Sequence, residues 1–185
     1  MNLFDIALLA IALSFDLSGV CFASGALLHK AEVAISLRFL LILDLTLVML
    51  SFGGLMVGAI LFAIVGEAGQ WIALLLFIGT GLKIIFESLQ PKTGDSAFAK
   101  SALKTMVVLA LGESINAFII TTGVGFLLPD IPRAILVIGI ILLLFSSAWI
   151  FIGRIKGPSP FKFRLGTLGG LILVAAGLHL LIKLI

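Results

Sequence analysis

Ser14-Phe15-Asp16-Leu17 places a carboxylate near the middle of an apolar run that extends from about Leu3 to Leu28. At that depth in a bilayer a charge costs roughly 2.5–3.5 kcal/mol on insertion scales unless it is paired, hydrated or bound to a cation. An acid there is a functional-site candidate before anything else about the chain is known. One hundred residues later a related stretch follows, Ser114-Ile115-Asn116-Ala117. Together the two stretches point to long apolar helices with polar groups at corresponding places.

Composition puts those helices in lipid. Of 185 residues, 62% are hydrophobic and 11% charged, and the mean hydropathy is +1.35. Soluble domains are about half apolar. The net charge of +3 comes from Lys and Arg clustered between apolar runs. No basic stripe with interleaved aromatics is present, so nucleic acid is not an expected partner. The one cysteine, Cys21, excludes an internal disulfide and any Cys-rich metal centre, and it reads as a small packing residue. The first apolar run lacks a basic lead-in and carries Asp16, so it reads as a retained helix rather than a cleaved signal.

Six segments reach the roughly 20 residues that a bilayer crossing takes. They lie near 3–27, 34–65, 70–90, 103–128, 133–153 and 165–184. The expectation is an all-α integral membrane protein with one transmembrane domain over 1–185. The second segment is long enough to tilt, or to bend around Gly53-Gly54 and Gly58. The connection from about Gln90 to Ser101 reads as a surface linker. Connections after spans one, three and five, with the adjoining span ends, hold Lys30, Arg38, Lys92, Lys100, Lys104, Arg154, Lys156, Lys162 and Arg164. The opposite side holds only Arg133 and Lys183. This asymmetry places those three loops in the cytoplasm and both termini outside.

The two Ser-x-Asp/Asn stretches belong to a longer correspondence. Gly25 matches Gly125 at the same offset, Gly81-Leu82-Lys83 matches Gly177-Leu178-His179, and Glu87 falls opposite Lys183. Each half then has three spans, about 1–92 and about 101–185. An odd number of spans per half inverts the second half in the membrane, which is the pattern of inverted-repeat transporters with a midplane site.

Asp16, Asp44, Glu87 and Glu113 fall inside spans or near their ends. Asp16 shares a helical face with Gly19, Val20 and Ala23, and the small residues allow a neighbouring helix close. Glu113 and Asn116 are three residues apart on one face. Carboxylate and amide oxygens suit hard cations such as Mg²⁺, Ca²⁺ or Mn²⁺. The same acids suit proton relay, so both chemistries stay open here. Lys83 and Glu87, spaced i and i+4, read as an intrahelical ion pair, with Lys83 also a possible internal counter-charge for the acids. His179 stands at the matching place in span six. Ser14, Ser18, Ser24, Thr121 and Thr122 are expected to bond back to helix carbonyls. Trp71 and Trp149 read as interface anchors. No phosphate-binding loop, metalloprotease helix or nucleophile–base pair is present, so the chain does not read as an enzyme.

Ala12-Leu-Ser-Phe-Asp16, Gly25-Ala-Leu-Leu-His-Lys30, Trp71-Ile-Ala73, Gly81-Leu-Lys-Ile-Ile-Phe-Glu87, Ser114-Ile-Asn-Ala117 and Ile152-Gly-Arg154 resemble the manganese efflux pump (MntP) family of the LysE-type exporter group, in a divergent form. The resemblance covers nearly the whole chain. It implies a six-helix bacterial inner-membrane protein with an inverted repeat that exports Mn²⁺ through acids of spans one and four. Asp16 matches the acid of the family's first motif, and Asn116 stands where the family has its second Asp. Leu17 replaces the usual Ala, and Leu47 stands where the family tends to have an acid or amide. Asp44 and Glu113 each lie three residues before those positions, about 4.5 Å along a helix. The expected cation ligands are therefore Asp16, Asn116, Glu113 and Asp44, with Lys83, Glu87 and His179 as coupling or counter-charge groups. The divalent cation is cargo, and no cofactor is expected. The alternatives are a LysE-like exporter of a small organic solute and a non-transporting membrane scaffold.

Overall fold

The computed structural model describes residues 3–27, 33–89, 102–127, 131–156 and 163–184. They form six helices: α1 (Leu3–Leu27), α2 (Val33–Val65), α3 (Ala68–Leu89), α4 (Ala102–Gly125), α5 (Ile131–Lys156) and α6 (Phe163–Leu184). Among the described residues there is no strand. The Gln90–Ser101 connection and the loop lysines Lys30, Lys92, Lys100 and Lys162 lie outside them.

Long apolar runs become helices because a helix pairs its own backbone groups, which lipid cannot do. By length and composition, Ile6–Ala26, Leu40–Val65, Ala68–Leu89 and Ile131–Lys156 can cross a membrane. The described apolar part of α6, Gly166–His179, is shorter. In α4 the apolar residues are interrupted by Glu113, Ser114, Asn116, Thr121 and Thr122. The chain is a multi-pass membrane protein.

Between α2 and α3 the turn is tight. Gly66 adopts φ 62°, and its N–H donates to Phe62 O at 2.8 Å. This left-handed helix end is one that glycine adopts without a Cβ clash.

The bundle is wrapped by apolar side chains. On α2, Leu41, Leu45, Met49 and Phe52 form an exposed stripe, and on α5 Leu136, Ile140, Leu144, Phe151 and Ile155 do the same. In water such a belt would drive aggregation, whereas in lipid it is the solvated surface. α1 is far more enclosed than α2 or α5, with 65% of its apolar window buried against 22% for each of those two.

Three helix pairs dominate the packing: α1 with α5, α2 with α4, and α3 with α6. Smaller contacts join α1 to α6, α2 to α5 and α3 to α4. Glycine makes the first two seams close. A Cβ on Gly58 would overlap the Thr122 carbonyl oxygen, and one on Gly125 would lie 2.5 Å from Leu55 O. On the other seam, Gly153 lies against the Phe22 carbonyl and Gly25 against Ile150 and Arg154. α2 is assigned as one helix from Val33 to Val65, and Gly54 and Gly58 serve the approach of α4.

Candidate functional site

Asp16 and Asn116 sit at mid-helix in α1 and α4. In each motif the serine is tied to its own helix. Ser14 Oγ donates to Ala10 O at 2.7 Å, and Ser114 Oγ donates to Ala110 O at 2.6 Å. A serine bonded back this way leaves its helix no free donor at that point. The polar residue two positions on is the one that reaches across.

The reach is direct. Asn116 Nδ2 donates to Asp16 Oδ2 at 3.1 Å. From α3, Lys83 Nζ donates to Asn116 Oδ1 at 2.6 Å. The two partners fix the amide's orientation: an ammonium only donates and a carboxylate only accepts, so Oδ1 must face Lys83 and Nδ2 must face Asp16. Lys83 also lies 3.6 Å from Glu87 Oε1, with the two side chains 45% and 47% exposed. The result is a line of alternating character across three helices: Glu87, Lys83, Asn116, Asp16. Asn116 is buried and Asp16 half-buried. On the other side of Asp16, α6 closes in. A Cβ at Gly169 would lie 2.9 Å from Asp16 N and 2.6 Å from Ala12 O.

The remaining expected site residues take other places. Asp44 is buried in α2, where its Oδ1 accepts a hydrogen bond from Ser146 Oγ of α5 at 2.8 Å. Glu113 is half-buried one turn before Asn116. His179 is exposed on α6 and takes no part in the Lys83–Asn116–Asp16 line. Among the described residues, no three His, Cys, Asp or Glu side chains gather into a group that could hold a metal. The Asn116–Asp16 hydrogen bond brings one carboxylate and one amide together.

The back-bonding expectation holds for Ser14, for Ser18 on Phe15 O at 2.5 Å, for Thr121 on Ala117 O at 2.8 Å and for Thr122 on Phe118 O at 2.8 Å. It fails for Ser24, whose buried Oγ has no partner among the described residues. Trp71 is half exposed at the start of α3. Trp149 differs: it packs on Phe15, with ring centroids 6.5 Å apart, because α5 lies along α1 at that level. Sequence reasoning missed Ser146 as the partner of Asp44. A serine in an apolar helix gives no local sign of the neighbour it will meet. The Lys83–Asn116 contact did have a signal, since Lys83 is the lysine set inside an apolar span.

Chemically, the line holds a carboxylate and an amide together, with an ammonium occupying the amide oxygen. Asp16 with the carbonyl of Asn116 offers two hard oxygens of the type Mg²⁺, Ca²⁺ and Mn²⁺ take. For both oxygens to face one cation, Lys83 must release Oδ1 and the amide must turn over.

No solved structure matches the chain. The family model Mntp, described as "putative manganese efflux pump", matches residues 30–181. A protein of Methanothermobacter thermautotrophicus named "Putative manganese efflux pump MntP" is 31% identical over 185 residues, covering 99% of this chain and 97% of that one. Proteins of the same name from Yersinia pestis and Yersinia pseudotuberculosis are 29% identical over 182 residues, covering 98% of this chain and 96% of theirs. With the family model matched over most of its length, this chain belongs to the Mntp family.

Proposed function

We propose that the chain is a secondary transporter that exports divalent cations, Mn²⁺ first among them, across the cytoplasmic (inner) membrane. The observation that carries this is the meeting of Asp16 and Asn116, 100 residues apart, through a hydrogen bond of 3.1 Å in the middle of the bundle. A carboxylate half-buried at mid-span is costly without a cationic or hydrogen-bonding partner, and its partner here is the cognate position of the second motif. The names of the relatives support manganese as cargo.

In this reading all six helices cross the membrane as two inverted three-helix repeats. The glycine seams support it. Shift the α1 numbers by 100 and the α5 numbers back by 95, and one seam becomes the other. Gly25 on Ile150 and Arg154 becomes Gly125 on Leu55 and Ala59, and Gly153 on Phe22 becomes Gly58 on Thr122. Each of these contacts occurs. The Lys and Arg asymmetry puts the loops after α1, α3 and α5 in the cytoplasm, with both termini outside.

Asp16 and Asn116 bind the cation near the midplane. Glu113, one turn away, supplies a further oxygen, and Asp44 acts as a second carboxylate on the pathway. Lys83 holds Asn116 Oδ1 when no cation is bound and retreats to Glu87 when one arrives. Protons carried on the same carboxylates provide the counter-ion.

The test is Mn²⁺ efflux from cells and from inverted vesicles carrying wild type, Asp16→Ala or Asn116→Ala. Loss of efflux in both variants, with normal membrane levels, supports the reading. Manganese content and tolerance equal to wild type in the Asp16→Ala strain would remove it.

A further inference from the structure

The same repeat shift that reproduces the α1–α5 and α2–α4 seams fails for the contacts of α3 and α6, and the failure is informative. On α6, Gly169 sits against Ala12, Phe15 and Asp16 of α1. Shifting α1 by 100 and α6 back by 96, the offset of Gly177 from Gly81, predicts Ala73 of α3 against Gly112, Ile115 and Asn116 of α4. That contact is absent. A Cβ on Gly112 would meet nothing within 4 Å, and Ile115 is 52% exposed whereas Ala73 is fully buried. α3 instead meets α4 farther along, where Gly123 lies against the Phe77 ring and Gly69 against the Phe126 ring. Those two contacts bracket Ala73 between the levels of Gly123 and Phe126. It is therefore displaced from its counterpart position by about the seven residues from Asn116 to Gly123, roughly 10 Å at about 1.5 Å per residue.

Meanwhile α3 and α6 stay locked to each other. Gly81 faces Gly170 and Val174, Gly170 faces Gly81 and Ile85, and Gly177 faces Phe77 and Ile78. Four helices thus obey the repeat symmetry and one tightly packed pair sits off it. Resting on the inverted-repeat reading above, we propose that α3 and α6 move as one body against a frame of α1, α2, α4 and α5, and that the structure holds one of two seatings related by the pseudo-two-fold axis of the repeat.

In the present seating α6 covers Asp16 with backbone at Gly169, while on the α3 side Asn116 is reached by the long side chain of Lys83. Gly112 and Ile115 stand open there. In the other seating Ala73 closes on Gly112 and Asn116, and Gly169 leaves Asp16. His179, the counterpart of Lys83, then reaches Asp16. The exchange uncovers one member of the polar pair while covering the other, which is what alternating access to a fixed site requires. Glycine at 112 and 169 is explained on the same terms. Each leaves room for the opposing helix in the seating where its gate is shut.

The experiment uses the full chain with Cys21→Ala, in native membranes under mild oxidation, read by mobility shift on a gel. Ile115→Cys/Ala73→Cys reports the second seating, and Ser88→Cys/Gly166→Cys, whose Cβ positions lie 3.2 Å apart, reports the moving pair. The expected result is that both cross-links form. The first stops cation efflux until a reductant is added, and the second leaves efflux near wild type. Gly169→Ala, which crowds Asp16 in the present seating, raises the yield of the first cross-link severalfold and slows maleimide labelling of Gly112→Cys by a similar factor. No Ile115–Ala73 cross-link in either Gly169 background, while Ser88–Gly166 forms under the same oxidant, overturns the proposal. So does arrest of efflux by the Ser88–Gly166 link. Both cross-links and the labelling are read without cargo, so if they behave as expected and no metal moves, it is the cargo assignment that fails.

Discussion

Replacing Lys83 by Met should make the protein bind divalent cations more tightly while exporting them more slowly. Lys83 Nζ donates to Asn116 Oδ1 at 2.6 Å, and a cation that uses that oxygen must first displace it. A hydrogen bond to a charged group contributes about 1.5–3 kcal/mol. The Lys83 side chain is 45% exposed, so solvent screening selects the lower end, about 1.5 kcal/mol. At about 1.4 kcal/mol per factor of ten, Lys83→Met should lower the Kd for Mn²⁺ roughly tenfold. Glu87→Gln works in the opposite direction. It removes the exposed ion pair at 3.6 Å, which is worth about 0.2–1 kcal/mol, and leaves Lys83 more fully on Asn116. Cation affinity should then fall by up to about fivefold. Calorimetric titration of the purified protein with MnCl₂ at fixed ionic strength reads both changes, and vesicle efflux reads the slower unloading of Lys83→Met. An unchanged or weaker Kd in Lys83→Met would refute the argument that the ammonium competes for the site.

Asn116→Asp should also tighten Mn²⁺ binding in the same titration, because it adds a second carboxylate beside Asp16 and needs no amide turnover. Gly58→Ala should destabilise by about 1–3 kcal/mol, since its Cβ would overlap the Thr122 carbonyl. Gly79→Ala, where a Cβ meets nothing within 4 Å, should be neutral or stabilising by up to about 1 kcal/mol through helix propensity. Thermal unfolding in detergent compares the two. Ser146→Ala removes the donor to buried Asp44 Oδ1, now 2.8 Å away, and should cost about 1–3 kcal/mol. A double-mutant cycle with Asp44→Asn isolates that interaction as a non-additive term.

The six helices were legible because apolar runs of bilayer length leave the backbone few alternatives to the helix. Their bounds in the structure fall within three residues of those expected from the runs. Asp16 was legible for a related reason: a charge inside such a run is expensive wherever the helices settle. The serines and threonines that bond to their own helices were legible because those bonds are local. The fates of Asp44, Ser24 and Trp149 were not, since each depends on the side chain a neighbouring helix presents. Asp44 met Ser146, Trp149 met Phe15, and Ser24 met no polar partner among the described residues.

The sequence by itself determined that the chain is a bundle of apolar helices, with an acid at a depth where charge is expensive and a similar stretch around Asn116 one hundred residues on. Periodicity, length and the cost of a charge in lipid are properties of the chain before it packs. Only the tertiary structure decided that Asn116 lies between Asp16 and Lys83, that Asp44 is bonded to Ser146, and that α6 rather than α3 covers the site at backbone distance. Those outcomes depend on how helices slide against one another. Sliding is set by where a glycine admits a neighbouring carbonyl and where a ring fills the gap, and no single helix carries that information.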